Sequence, residues 1–152
     1  MTVTICSRKE AELLLQLPIP RSTAVISFYD PPPKGLEPIN YSGKADRVFQ
    51  VALRDIDYDI LDMFGLSYDT YFPEANDLAG FILAAEADDF DFICQCEYGQ
   101  SRSAGCAAAI LEYFCKTGIS VFADYRYYPN QMVFNKVLEA LRRAKNDRKS
   151  EV

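Results

Sequence analysis

Cys96 and Arg102 are the residues whose types and spacing suit chemistry. Five residues, Glu97-Tyr98-Gly99-Gln100-Ser101, separate them. The run from Phe90 to Cys96 is apolar and reads as a buried strand, and the run from Arg102 reads as a long helix. A helix N-terminus offers free backbone N–H groups and the positive end of its dipole. A loop curling ahead of it adds more inward amides. Gly99 permits backbone angles that other residues resist. Arg102 brings a planar guanidinium that grips a tetrahedral oxyanion through two parallel hydrogen bonds. Glu97, Tyr98, Gly99, Gln100, Ser101 and Arg102 thus read as a phosphate cradle with a thiol at its floor. Fields of this kind favour thiolates. A thiolate beside a bound phosphoryl group attacks phosphorus in line, and the cradle stabilises charge on the equatorial oxygens. Ser101 or Ser103 can hydrogen-bond the sulfur, and Ser103 can assist its departure.

Composition narrows the chemistry. The chain has 152 residues, which fits one domain. It contains no histidine. Ser-His and Cys-His catalysis and His-ligated metal sites are therefore excluded, and no metal or cofactor is expected. Acids outnumber bases by 22 to 16, giving a formal charge of -6. That balance argues against nucleic acid or an anionic membrane as a partner. Five cysteines is an odd number and lacks a disulfide framework's spacing, which suits a reducing compartment. No apolar run reaches the ~18 residues of a membrane span. The start, MTVTICSRKE, does not read as a signal peptide. A soluble cytoplasmic protein is the expectation.

The rest of the chain must position the loop. TVTIC (2–6), TAVISFY (23–29) and RVFQVAL (47–53) read as strands. Ser7 and Glu10 form a capping box for a helix over 8–17, which ends before Pro18. Asp30 to Gly43 is a Pro/Gly-rich loop. Residues 60–72 read as irregular. Pro73-Glu74-Ala75 starts a helix that runs to about 86. Gly118 is expected to end the helix after the loop, and Ser120 to cap a short one. Asn130 caps a last helix over 131–146, whose apolar stripe is Val133, Phe134, Val137, Leu138 and Leu141. Strands separated by helices give an α/β fold: a central, largely parallel sheet flanked by helices.

CEYGQSRS resembles the Cys-x5-Arg-Ser signature of the cysteine-dependent protein tyrosine phosphatases. It is closest to the dual-specificity-like branch and its compact prokaryotic-type members. VISFYDPPP, VALRDID and the late PN are similar to stretches of those members. The resemblance implies phosphomonoester hydrolysis without metal. It implies Cys96 as nucleophile, Arg102 as the phosphate grip and Ser103 as the hydroxyl that helps the thiophosphate break down. It also implies a carboxylic acid that protonates the leaving oxygen and then activates water. Asp55, Asp57, Asp59 and Asp69 are the candidates. The acidic turn after VAL favours Asp55, with Asp57 second. The family usually has histidine just before the nucleophile; here Gln95 stands there, able to hydrogen-bond but without an imidazole.

A phosphorylated protein, phosphotyrosine above all, or a small phosphomonoester is the expected substrate. Glu97 and the absence of lysine in the loop disfavour polyphosphorylated inositides. Two other readings stay open: a phosphate-binding module without turnover, and a rhodanese-type sulfur-transfer enzyme. The five-residue spacing to Arg102 counts against the second. Cys94 reads as a small buried residue, with a redox partner for Cys96 as the alternative. Cys106 and Cys115 read as core. Tyr125, Tyr127 and Tyr128, with Arg126, read as interhelical packing, with a wall that stacks on a substrate ring as the alternative. Tyr98 and Gln100 are expected to turn their side chains outward. The oligomeric state is not encoded in any of these features.

Overall fold

A computed structural model describes residues 1–32 and 37–150. Part of the expected Pro/Gly-rich loop, residues 33–36, lies outside the described residues. The strands form where β-branched and aromatic residues cluster. They are β1 (Val3–Cys6), β2 (Thr23–Tyr29), β3 (Arg47–Ala52) and β4 (Asp91–Gln95). They make one sheet in the order β1-β4-β2-β3, and every pair is parallel. β4, the last strand in sequence, is inserted between the first two, with Ile26 opposite Cys94 and Ile5 opposite Cys94 on its other side.

Parallel strands need crossover segments, and helices supply them. α1 (Arg8–Leu14) starts at the expected capping box, with Ser7 accepting from the Glu10 amide and Glu10 accepting from the Ser7 amide. It is shorter than expected, because the chain turns at Leu15–Leu17 before the prolines. α2 (Ala75–Ala87) follows Pro73. α3 (Arg102–Cys115), α4 (Ile119–Phe122) and α5 (Gln131–Ser150) complete the chain. No helix among the described residues is long and apolar enough to cross a membrane.

Strand alternation divides the core. Ala24, Ile26 and Phe28 of β2, with Phe92 and Cys94 of β4, face α2, α3 and α5 in the main cluster. Val25 of β2 joins Cys6, Ala11, Ile19, Ile39 and Tyr41 in the smaller cluster on α1's side, with Ile93 packed against it. α3 lies deepest: every residue from Arg102 to Ile110 is buried. Its small residues allow that. A Cβ on Gly105 would sit 2.5 Å from the Asn130 carbonyl oxygen, so this helix meets the start of α5 backbone to backbone.

Several local expectations need correction. Residues 58–64 form a 3-10 segment (Tyr58–Phe64), capped by the Asp57 carboxylate and ended by left-handed Gly65; with about three residues per turn it lacks the ~3.6-residue period by which a helix is read. Lys116, not Gly118, closes α3 in the left-handed region at φ 59°. Gly118 instead precedes α4 and packs so tightly that a Cβ would lie 2.6 Å from the Ala108 carbonyl oxygen. Ser120 does not cap α4; it lies inside it and its hydroxyl donates back to the Thr117 carbonyl. Cys115 is exposed rather than core, because it falls on the outer side of α3's last turn.

Candidate active site

A parallel sheet presents all its carboxyl ends along one edge, where α/β folds place their ligands. Here that edge carries Ser7 after β1, Asp30 after β2, Leu53 to Asp55 after β3 and Cys96 after β4. Four short segments thus meet around the 96–102 loop.

The loop is fixed by its backbone carbonyls and one glycine. The Cys96 amide donates to the Cys6 carbonyl at 3.2 Å, and the Glu97 carbonyl accepts from the Arg8 amide at 3.0 Å. Gly99 takes φ +66°, and a Cβ there would lie 2.5 Å from the Ser7 nitrogen. Glycine is required twice over, for its left-handed angle and for the close approach to β1. The Gln100 carbonyl accepts from the Tyr128 amide and the Ser101 carbonyl from the Asn130 amide. These bonds spend the loop's acceptors and leave its donors. Among the described residues, none of the backbone N–H groups from Glu97 through Arg102 donates a hydrogen bond. The Ser101 hydroxyl, the natural cap for α3, turns away to Asp55 at 2.7 Å and leaves the helix without a side-chain cap. Tyr98 and Gln100 point their side chains outward, as expected.

Cys96 is buried, and its Sγ lies 3.1 Å from the Ser103 Oγ. Arg102 is 2% exposed. Its Nη1 is held by the Asp30 carboxylate at 2.9 Å and the Leu53 carbonyl at 2.7 Å, while its buried Nε has no partner. Nη1 points back toward the strand ends, so the Nε–Nη2 edge is the side left for a planar, two-pronged grip. Asp30 was missed from sequence. The signal available was its place one residue past an apolar strand of a parallel sheet.

The expected acids separate by their partners. Asp55 Oδ1 accepts from the Ser101 hydroxyl and from Asn130 Nδ2 at 3.1 Å, and Oδ2 has no partner among the described residues. Both oxygens of Asp57 have backbone partners: Oδ1 caps Tyr58 and Oδ2 accepts from the Gln131 amide at 3.2 Å. Asp59 lies in the 3-10 segment and Asp69 in an exposed turn; neither bonds to the loop. Asn130 caps the last helix as expected and also braces the acidic turn. Oδ1 caps α5 at the Val133 amide, and Nδ2 braces Asp55 and the Ile56 carbonyl. A small cavity of about 120 Å³ opens between Asp30, Asp55 and Phe64.

Gln95 faces the other side of the sheet. Its Oε1 accepts from the Ser27 and Tyr41 hydroxyls, and its Nε2 donates to the Cys96 carbonyl at 3.1 Å. Burial is the main cause holding the Tyr41 phenol above its ordinary range, so it stays a donor. An amide therefore braces the loop from the residue just before Cys96. Gln95→Leu leaves two buried hydroxyls without their acceptor, at about 1–3 kcal/mol. The expected result is a melting temperature lower by about 2–4 °C for each kcal/mol lost. Scanning calorimetry checks it, and an unchanged melting temperature would show the network to be dispensable.

Cys94 and Cys96 share the main-core face of β4. A hydrogen bond with Cys106, and then burial, push the Cys94 thiol well above its ordinary range. Cys94 is thus a fully buried packing residue, as expected of a small apolar side chain on a core strand. Burial, and secondarily Glu10, push Cys6 up to about 11. The tyrosine cluster follows its packing reading only at Tyr127, which packs with Phe122 and Phe134 against Ala104, Ala108 and Val121; Tyr125 and Tyr128 are 89% and 74% exposed.

A parallel sheet wrapped by helices in this way is the fold of the dual-specificity and tyrosine phosphatases. Among solved structures, human DUSP28 is similar over 95% of this chain and 94% of its own, at 13% identity and a TM-score of 0.52. A mouse putative dual specificity phosphatase complexed with zinc tungstate is similar over 95% and 85%, at 17% identity and 0.54. The human tyrosine phosphatase-like serine/threonine/tyrosine-interacting protein is similar over 91% and 87%, at 13% and 0.55. No protein-family model matches the sequence, and no curated relative does. At these identities the likeness is one of fold.

Proposed function

We propose that the protein is a phosphomonoester hydrolase that acts through a phosphothiolate on Cys96 and needs no metal. The observation that carries this reading is the row of unspent donors around the thiol: the amides from Glu97 to Arg102 and the buried, unpartnered Nε of Arg102. Buried donors without partners are costly, and a tetrahedral dianion satisfies them together. The Cys96 sulfur attacks phosphorus, the P–O ester bond breaks, and Asp55 gives its proton to the departing oxygen. Water then attacks the thiophosphate with Asp55 as base. The S–P bond breaks as the Ser103 hydroxyl hydrogen-bonds the leaving sulfur. Asp55 is preferred to Asp57 because it keeps a free carboxylate oxygen beside the loop.

Phosphotyrosine is the favoured substrate class, since the mouth carries Glu97, Asp30 and Asp55 and repels a polyanion. The test is hydrolysis of an aryl phosphate in the presence of a chelator, inhibited competitively by vanadate. Binding of phosphate without turnover would instead identify a silent phosphate-binding module.

The acid's role gives its own expectation. Asp55→Asn lowers kcat by about 10²-fold or more for phenyl phosphate, and less for a nitrophenyl ester whose leaving group needs no proton. Equal losses on both esters would remove Asp55 from this role. Asp57→Asn, tested alongside, is expected to act mainly on stability.

A further inference from the structure

The segment between α4 and α5 is tied to the phosphate loop and carries a cleft that the hydrolysis does not use. The Tyr128 amide binds the Gln100 carbonyl at 2.8 Å, and the Gln131 amide binds Asp57 at 3.2 Å. Between them lies a cleft of about 490 Å³ lined by Asp57, Phe122, Asp124, Tyr125, Tyr127 and Tyr128. Exposed aromatic rings and two carboxylates against one guanidinium give it the composition of a cation site.

The protein already shows this chemistry on one wall. The Arg126 guanidinium sits 5.1 Å from the Tyr127 ring centroid and 2.7 Å from an Asp124 oxygen. Hydrogen bonds from Arg126 hold Asp124 down to about 2, so it remains a carboxylate. Tyr125 and Tyr128, the most exposed rings of the cleft, have no such occupant among the described residues. Asp57 has backbone partners only, and each of its oxygens retains a lone pair.

We propose that this cleft binds a lysine or arginine side chain of the substrate, close in sequence to the phosphorylated residue. The inference rests on the phosphatase reading and deepens it: the substrate is a phosphopeptide with a basic flank rather than any aryl phosphate. Because Gln100 and Tyr128 are joined through backbone, the cleft stands at a fixed offset from the loop. An extended peptide advances about 3.3–3.6 Å per residue, so one flanking position should dominate.

The test uses phosphotyrosine peptides that differ only by Lys, Ala or Glu at each flanking position. Their kcat/KM is measured relative to that of para-nitrophenyl phosphate. The expected result is a preference of about tenfold for Lys over Glu at one position. It falls to about twofold or less in the Tyr125→Ala/Tyr128→Ala double variant, and with added salt. No positional preference, a preference for Glu, or a Lys preference that survives in the double variant overturns the proposal while leaving aryl phosphate turnover, and so the phosphatase reading, intact. Should neither substrate turn over, calorimetric binding of the same peptides to the Cys96→Ser protein decides: a Lys-over-Glu affinity ratio lost in the double variant supports the cleft, and equal affinities overturn it.

Discussion

Cys96→Ser is expected to abolish hydrolysis of aryl phosphates while leaving the fold and phosphate binding in place. The loss should be on the order of 10⁴-fold or more, the scale on which removal of a nucleophile acts. A serine hydroxyl ionises far less readily than a thiol and is a much weaker nucleophile in the same place. The neighbouring Ser103 hydroxyl, 3.1 Å from the sulfur, can hydrogen-bond the new oxygen, so the substitution creates no orphaned group. The donors that would hold phosphate come from other residues and are untouched. Steady-state kinetics and phosphate titration of the variant separate the two effects. Wild-type turnover in the variant would take the nucleophile away from Cys96. Loss of phosphate binding together with turnover would mean that the loop itself had collapsed.

Asp30→Ala carries the second large effect. Arg102 is buried, and Asp30 is its one ion-pair partner among the described residues. Removing one member of a buried pair typically costs about 3–5 kcal/mol, because the other charge is left uncompensated. The Asp30 side chain is 18% exposed and the Leu53 carbonyl still holds Nη1, which places the expected cost near the lower figure. For a chain of this size that is a drop of about 6–12 °C in melting temperature. Inorganic phosphate should restore part of it, since an anion in the loop supplies a counter-charge; at a hundred times its Kd, linkage gives about 2.7 kcal/mol. Asp30→Asn, which keeps an acceptor, should fall between. A melting temperature equal to wild type would show that Arg102 is compensated elsewhere.

The strands were legible because their cues are local: TAVISFY and RVFQVAL have the β-branched and aromatic content that a pleated surface selects. The loop was legible because Cys, Gly and Arg at that spacing have few structural uses. What escaped was set by distance. Asp30 bonds a residue 72 positions away, and nothing near it in sequence announces that. Gln95 looked like a missing histidine, but its value lies in Ser27 and Tyr41, which the sheet and the loop after β2 bring to it. The choice between Asp55 and Asp57 was open for the same reason: it turns on the start of α5. The end of α3 went astray because a left-handed lysine took the place where glycine was expected.

The insertion of β4 between β1 and β2 has a consequence for how the molecule comes into being. β1 has no partner other than β4 in the sheet, and β4 is the last strand to leave the ribosome. Until then the first strand is an unpaired ribbon, and three of the four segments that frame the loop stand open without the fourth. Closing the sheet and forming the anion cradle are therefore one event, joined across strand pairs 89 residues apart in sequence. Phosphate should report on that event as a whole: it binds the finished chain, stabilises it throughout, and finds nothing to hold in an amino-terminal fragment that stops before β4.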